Sequence, residues 1–262
     1  MGLSQQQREE AAEALRTAEA TQVAIAPLIV TYPDIDVVDS YEIQLINIRR
    51  RLAAGATVHG HKVGLSSKAM QEMMGVDEPD YGHLLSDMVY TEDAPIPTGK
   101  FLIPRVEVEV GFVLGDDLPG EGCTVEDVLR CTDFIAPAIE LIDSRIADWK
   151  IGLMDTIADN ASSCGVILGK ERVKPDELDV KAIDATLSIN GSEVARGTSG
   201  AVLGDPTIAV AWLANKVASF GVRLEKGHVV LPGSCTRAYD VKPGDDVVAT
   251  FEGLGSVHLQ FS

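Results

Sequence analysis

From His59 to the end of the 262-residue chain, short β-like runs alternate with Gly/Pro punctuation, and this pattern constrains the fold more than any other feature. The runs are HGHKVGLSS, IPRVEVEVGFVLG, IAPAIELID, SSCGVILG, ATLSINGSEVARG, HVVLPGS, DDVVATFEG and GSVHLQFS. Each contains a strand-length apolar or alternating stretch beside turn formers. INGSE (189–193) and EGLGS (252–256) read as hairpin turns, because Gly reaches positive φ at little steric cost. Two helices interrupt the runs. One opens at Thr124, where Thr124-Val-Glu-Asp127 has the form of a capping box with Asp in the Glu place. The other covers about 206–220, from Pro206 to the residue before Gly221. Ahead of His59 the periodicity is helical. Residues 4–20 form one predicted helix with Ser4 as N-cap. A second fits about 38–54, where Tyr41, Leu45, Ile48 and Leu52 share a face and Gly55 supplies the stop. The expectation is an α+β protein, with a small helical N-terminal domain over 1–58 and a β-rich domain over 59–262.

Bulk properties narrow the function. Hydrophobic residues make up 45% and charged residues 24%, as in a folded globular chain. A formal charge of -18 argues against nucleic acid and against an anionic membrane surface, both of which need a Lys/Arg excess. It leaves open a small anionic substrate, because a bound cation reverses the sign locally. No apolar run of transmembrane length occurs, and the polar, acidic N-terminus has no signal-peptide pattern, so a cytoplasmic location is expected. Cys123, Cys131, Cys164 and Cys235 have no zinc spacing and read as reduced structural thiols.

The stretch Arg105-Val-Glu-Val-Glu-Val110 poses a chemical question. In a strand, Val106, Val108 and Val110 share one face, and Glu107 and Glu109 the other. Such alternation usually marks a strand with one wet face. A third acid, Glu140, sits in the apolar run Ala136-Pro-Ala-Ile-Glu-Leu-Ile142, where an unpartnered charge is costly. One divalent cation would serve all three carboxylates, and hard oxygen ligands suit Mg²⁺ or Mn²⁺. Both readings stand on these residues alone. Lys62 reads as a surface lysine, as a cation for a substrate carboxylate, or as a proton-transfer group. Asp80, in DEPDYGHL, falls in an expected turn. ADNASS (158–163) reads as a turn whose Ser and Asn could bind an anion. His59 and His61 share the face opposite Lys62 and do not have metal-site spacing.

Together these segments resemble the 2-hydroxypenta-2,4-dienoate hydratase family of the fumarylacetoacetate hydrolase superfamily. The resemblance is carried by RRLAAG (50–55), HKVGLSSKAMQEMMGVDEPDYGHL (61–84), PRVEVEVGF (104–112), ELIDSRIADWKI (140–151), DTIADNASS (155–163), AWLANKVASFG (211–221), LPGS (231–234) and VKPGDDV through EGLGSV (241–257). It implies a mixed-sheet β-roll core, a catalytic role for the 59–262 domain, and Mg²⁺ or Mn²⁺ on Glu107, Glu109 and Glu140. It also implies catalysis by Lys62 and Asp80, with substrate contacts from Lys62, Gly64, Leu65 and Ser162. The implied reaction hydrates 2-hydroxypenta-2,4-dienoate, or an alkyl homologue, to a 4-hydroxy-2-oxo acid in meta-cleavage catabolism. A homo-oligomer, pentameric or decameric, is implied too, with a possible complex with a pathway decarboxylase or aldolase.

Three alternatives share these residues. A 4-oxalocrotonate decarboxylase needs a further cation for a distal carboxylate, and Arg237 is the one near a loop. An acylpyruvate-type hydrolase needs a base-activated water; no His-Glu pair in the sequence evidently supplies it, which leaves His59, His61 and His83 open. A metal-stabilised partner scaffold of a decarboxylase complex needs no turnover at all.

Overall fold

Ser4 and Gln7 cap the first helix reciprocally, each side chain bonding the other's backbone N–H. That helix, α1, spans Gln5–Thr21. After a single turn, α2 at Leu28–Thr31, Asp36 caps α3, Val37–Ala53. Both long helices lie within a residue of their expected bounds. The computed structural model describes residues 2–262. The rest of the chain is β1 (Val58–Gly64), α4 (Lys68–Met74), β2 (Asp80–Leu85), β3 (Arg105–Leu114), α5 (Val125–Cys131), β4 (Thr132–Ile142), α6 (Leu153–Ala158), β5 (Ser163–Leu168), β6 (Asp184–Ile189), β7 (Ser192–Thr198), α7 (Pro206–Ala218), β8 (Val229–Leu231), β9 (Tyr239–Asp240), β10 (Asp246–Phe251) and β11 (Gly255–Gln260). Thr124 and Asp127 form the expected capping box of α5. The two expected hairpin turns join β6 to β7 and β10 to β11. Among the described residues, no helix is long and apolar enough to cross a membrane.

The strands form two sheets. The larger has seven strands, in the order β2-β1-β8-β3-β4-β5 with β9 added against β3. It is mixed, since β1 runs parallel to β8 while the other pairs are antiparallel. It curls until β2 approaches β5, which makes a roll. The smaller sheet, β11-β10-β6-β7, packs on the outside of β3 and β4.

Pleating then decides what each face meets. Val106, Val108 and Val110 are buried in the main core with Ile139, Leu141, Leu187, Val247 and Val257. The opposite face turns into the roll. There, Leu84, Ala138, Val166, Val229 and Leu231 form a separate apolar cluster. Register places Lys62 beside Leu231, Glu109 beside Ala138 and Glu140 beside Val166, so these charged side chains project into the same interior. The Glu face of β3 therefore turns inward, with Glu109 enclosed and Glu107 half-buried. The N-terminal helices bury Leu3, Ala11, Leu15, Leu28 and Ile43 together with Ile146 and Ala158 from the other side of residue 58.

Candidate active site

Two carboxylates directly opposite each other on neighbouring strands repel, and here Glu107 of β3 is paired with Glu140 of β4. Glu109 follows on the same face. Each of the three offers an oxygen within 4.8 Å of the others'. Glu109 and Glu140 are 0% exposed, while Glu107 is half-buried. Glu109 Oε2 accepts from the Gly233 backbone N–H at 2.7 Å, but Glu109 Oε1 and both Glu140 oxygens have no hydrogen-bond partner. Buried acceptors left in this state cost stability unless something positive occupies the space between them. A divalent ion with hard oxygen ligands fits this donor set, and its remaining positions would be open to water or substrate.

The electrostatics agree with the geometry. Burial raises the pKa of Glu109 well above the usual carboxylate range, and Glu140 and Glu107 raise it further. Burial likewise pushes Glu140 up to about 7, against the pull of Lys62. Glu107 and Asp80 are also raised, each by burial first and each opposed by Lys62. Burial works against the Lys62 ammonium, yet Glu140, Glu107, Asp80 and Glu109 outweigh it and raise its pKa. Lys62 is thus held charged in an interior that lacks enough positive charge for its carboxylates.

Lys62 is 3% exposed, which removes the surface-lysine reading. Its Nζ lies 3.5 Å from Glu140 Oε1 and donates to the Ala161 carbonyl at 2.8 Å. Asp80 is not in a turn as expected. It is the first residue of β2, opposite Gly64 of β1. A Cβ at residue 64 would sit 2.2 Å from Asp80 Oδ1, so only glycine lets this carboxylate lie inward. Thr156 of α6 donates to Asp80 Oδ2 at 3.3 Å, and Asp80 Oδ1 is buried without a partner.

The ADNASS segment is the turn that the sequence suggests, with an unusual backbone. Asn160, Ala161 and Ser162 all have positive φ, at 55, 51 and 57°. Asn160 clamps β2 in both directions: its Oδ1 accepts from His83 N at 2.8 Å, and its Nδ2 donates to His83 O at 2.9 Å. Gly82 makes room, since a Cβ there would lie 2.4 Å from the Asn160 carbonyl. Asp159 is fastened to Arg145 by a buried ion pair and by the Arg145 backbone N–H at 2.9 Å. The turn therefore presents the Ala161 carbonyl to Lys62 and leaves the Ser162 hydroxyl without a partner.

Lys62, Asp80, Thr156, Ala161, Ser162 and, of the three glutamates, Glu107 line one cavity of about 440 Å³, with Glu109 and Glu140 behind its wall. Its buried part has Lys62, Asp80, Glu107 and Ser162, with Gly64 and Leu65 beside them. Its open part has Arg105, Trp149, Met70 and Arg237. His59, His61 and His83 do not line it. His61 and His83 lie on the far side of β1 and β2, with ring centroids 4.7 Å apart. Sequence reasoning missed Thr156, the Gly233 N–H and the Arg145–Asp159 pair. None carries a local signal, because each is defined by a contact made across the fold.

The rolled mixed sheet, with a carboxylate trio facing a buried lysine, places the chain in a class of enzymes built on one fold. Residues 51–262 match the family profile described as fumarylacetoacetate (FAA) hydrolase C-terminal, and the chain belongs to that family. It is 44% identical to the 2-keto-4-pentenoate hydratase of Paraburkholderia xenovorans (strain LB400), across 99% of this chain and 96% of that protein. It is 42% identical to the 2-oxo-hept-4-ene-1,7-dioate hydratase of Escherichia coli, across 95% and 96%. A solved 4-oxalocrotonate decarboxylase from Pseudomonas putida G7, complexed with magnesium and adipate, superposes with a TM-score of 0.95 at 34% identity, covering 99% of each chain.

Proposed function

We propose that this chain is a divalent-metal-dependent hydro-lyase that adds water to a 2-hydroxy-2,4-dienoate, giving a 4-hydroxy-2-oxo acid. The observation that carries the reading is the set of buried oxygens on Glu109 and Glu140 that no hydrogen-bond donor reaches, one of them in ion-pair range of Lys62, beside a cavity that also presents Lys62 and Asp80. The hydratase names of relatives 40–44% identical to the chain support this reaction over others of the family.

Glu107, Glu109 and Glu140 would hold Mg²⁺ or Mn²⁺, which would supply Lewis-acid polarisation of the substrate's 2-oxygen. The remaining work falls to side chains. Lys62, fixed by the Ala161 carbonyl, gives positive charge to the substrate carboxylate end. The dienol must lose its 2-hydroxyl proton and gain one at C5, which produces a 2-oxo-3-enoate. Water then adds its oxygen at C4 and a proton at C3. Asp80 is the acid–base group for these transfers, because its Oδ1 is free of hydrogen bonds and Thr156 fixes its other oxygen. The Ser162 hydroxyl is available to a substrate oxygen. A cytoplasmic homo-oligomer, pentameric or decameric, belongs to the same reading, and sedimentation of the purified protein tests it.

The enzymatic test follows the ultraviolet absorbance of 2-hydroxypenta-2,4-dienoate. With Mg²⁺ the absorbance is expected to fall as a 4-hydroxy-2-oxopentanoate forms, identified by mass. Full turnover in chelated buffer, or release of CO₂ from a dienedioate in place of hydration, overturns the reading.

A further inference from the structure

Three cationic side chains line the cavity, and two of them are engaged by the protein. Lys62 is held by Glu140 and the Ala161 carbonyl. Arg105 donates from Nε to Asp240 at 2.7 Å, and its guanidinium lies over the Trp149 ring, 4.3 Å from the centroid. Arg237 differs. Among the described residues it has no carboxylate within 4.0 Å and makes no side-chain hydrogen bond. Its five N–H donors are free, in a chain of net charge -18 where acids are plentiful.

The group is nevertheless positioned. Its guanidinium carbon lies 4.5 Å from the centroid of the Tyr239 ring, and the Tyr239 hydroxyl donates to the Val194 carbonyl at 2.5 Å, which fixes that platform. The backbone before it is tied to β3, with Cys235 N donating to Val108 O at 2.8 Å and Val108 N donating to Ser234 Oγ at 3.0 Å. The register of β3 with β9, Val106 opposite Tyr239, lays this segment beside the strand that carries Glu107 and Glu109. An acid whose first carboxylate reaches the glutamate cluster therefore has its other end in the same cavity as a free guanidinium fork.

We propose that Arg237 reads a second carboxylate at the far end of the substrate, so that the preferred substrate is a dicarboxylic 2-hydroxy-2,4-dienoate and not the monocarboxylic five-carbon acid. The inference rests on the hydratase reading and names the substrate class within it. A planar guanidinium matches a carboxylate with two parallel hydrogen bonds, and a charged pair of this kind is worth about tenfold or more in affinity. An unpaired cation at the mouth also offsets the repulsion that an acidic chain exerts on a dianion.

Binding and turnover test this separately. Calorimetry in Mg²⁺ compares 2-oxoheptanedioate with 2-oxoheptanoate, which has the same length, lacks the far carboxylate and has no double bond to hydrate. The wild type is expected to bind the diacid at least tenfold more tightly. Arg237→Gln is expected to bring that ratio close to one, and Arg237→Lys to retain part of it. In turnover, the ratio of kcat/KM for the seven-carbon dienedioate to that for the five-carbon dienoate is expected to fall by a similar factor in Arg237→Gln, mainly through KM. A merely structural arginine shifts both acids together and leaves the ratios unchanged. Equal binding of the two acids by the wild type, or a ratio that survives Arg237→Gln, overturns the inference. If the wild type then still hydrates the five-carbon dienoate, the hydratase reading stands without it; if neither dienoate is hydrated, both fall.

Discussion

Glu109 shows how one side chain reports what a fold is built to hold. It is fully buried, one oxygen is satisfied by Gly233 N–H, and the other faces Glu107 and Glu140 with nothing to accept from. In Glu109→Gln, the amide oxygen can still accept from Gly233 and the amide nitrogen can donate to an unpartnered oxygen of Glu140. Relief of this repulsion should stabilise the metal-free protein by about 1 kcal/mol, a rise in Tm of roughly 2–4 °C for a chain of this size. The same change weakens the cation site, so Mg²⁺ should no longer raise Tm and metal-dependent kcat/KM should fall at least about a hundredfold. Thermal melts with and without Mg²⁺ check both parts, and a variant that is less stable without metal yet still responds to Mg²⁺ contradicts the account. Of the three acids, Glu140 in its apolar run is the one that breaks the usual grammar of the sequence, while the E-x-E of β3 reads equally well as a strand with one wet face. Their mutual position was not legible, since the Glu107–Glu140 pairing depends on the register of β3 against β4.

The turn between α6 and β5 shows where element-level reading stops. DNAS is a run of turn formers, and a turn is what forms. The sequence does not say that three consecutive non-glycine residues adopt positive φ, which costs about 1–2 kcal/mol per residue for an L-amino acid. The clamp of Asn160 on β2 and the Arg145–Asp159 pair hold that backbone in place. What the strained turn gains is a carbonyl aimed at Lys62. Ala161→Gly removes the steric penalty and should leave stability unchanged or raise it by up to about 1 kcal/mol. Ala161→Val places a β-branched side chain in a buried left-handed position and should lose about 2 kcal/mol or more. Urea midpoints for the two variants settle the matter; equal effects would mean that the turn is not under the strain described. Asp80 illustrates the same limit from the other side. Its neighbours are turn formers, but Gly64 across the ladder makes it a strand residue.

At the scale of the whole molecule, the expected division at residue 58 separates helices from strands, but the seam between them is densely bonded. Gln44 of α3 donates to the carbonyls of Tyr81 and Ile157 at 3.0 and 2.8 Å, and its Oε1 lies 3.0 Å from His83 Nδ1. We therefore propose that 1–58 and 59–262 differ in architecture yet unfold as one unit. His83 makes the seam sensitive to acid. Burial lowers its pKa to about 4, and the ring beside it, His61, is also held well below the usual imidazole range, by burial first and then by His83 and His228. Below pH 6.5 the unfolded chain takes up a proton on His83 that the folded chain refuses until about pH 4. The unfolded state then binds more protons, so stability must fall as pH drops through that window, by roughly 2 kcal/mol for His83 between pH 6.5 and 5. Raised carboxylate pKa values elsewhere act in the opposite sense, so the measured quantity is wild type minus His83→Gln at each pH. Urea unfolding followed by far-ultraviolet circular dichroism, dominated by the helices, and by Trp149 and Trp212 fluorescence gives both answers. Coincident midpoints at pH 7 are expected, with a difference from His83→Gln that shrinks on acidification. Two separated transitions would restore an independently folding N-terminal domain, and a constant difference would remove His83 from the acid response.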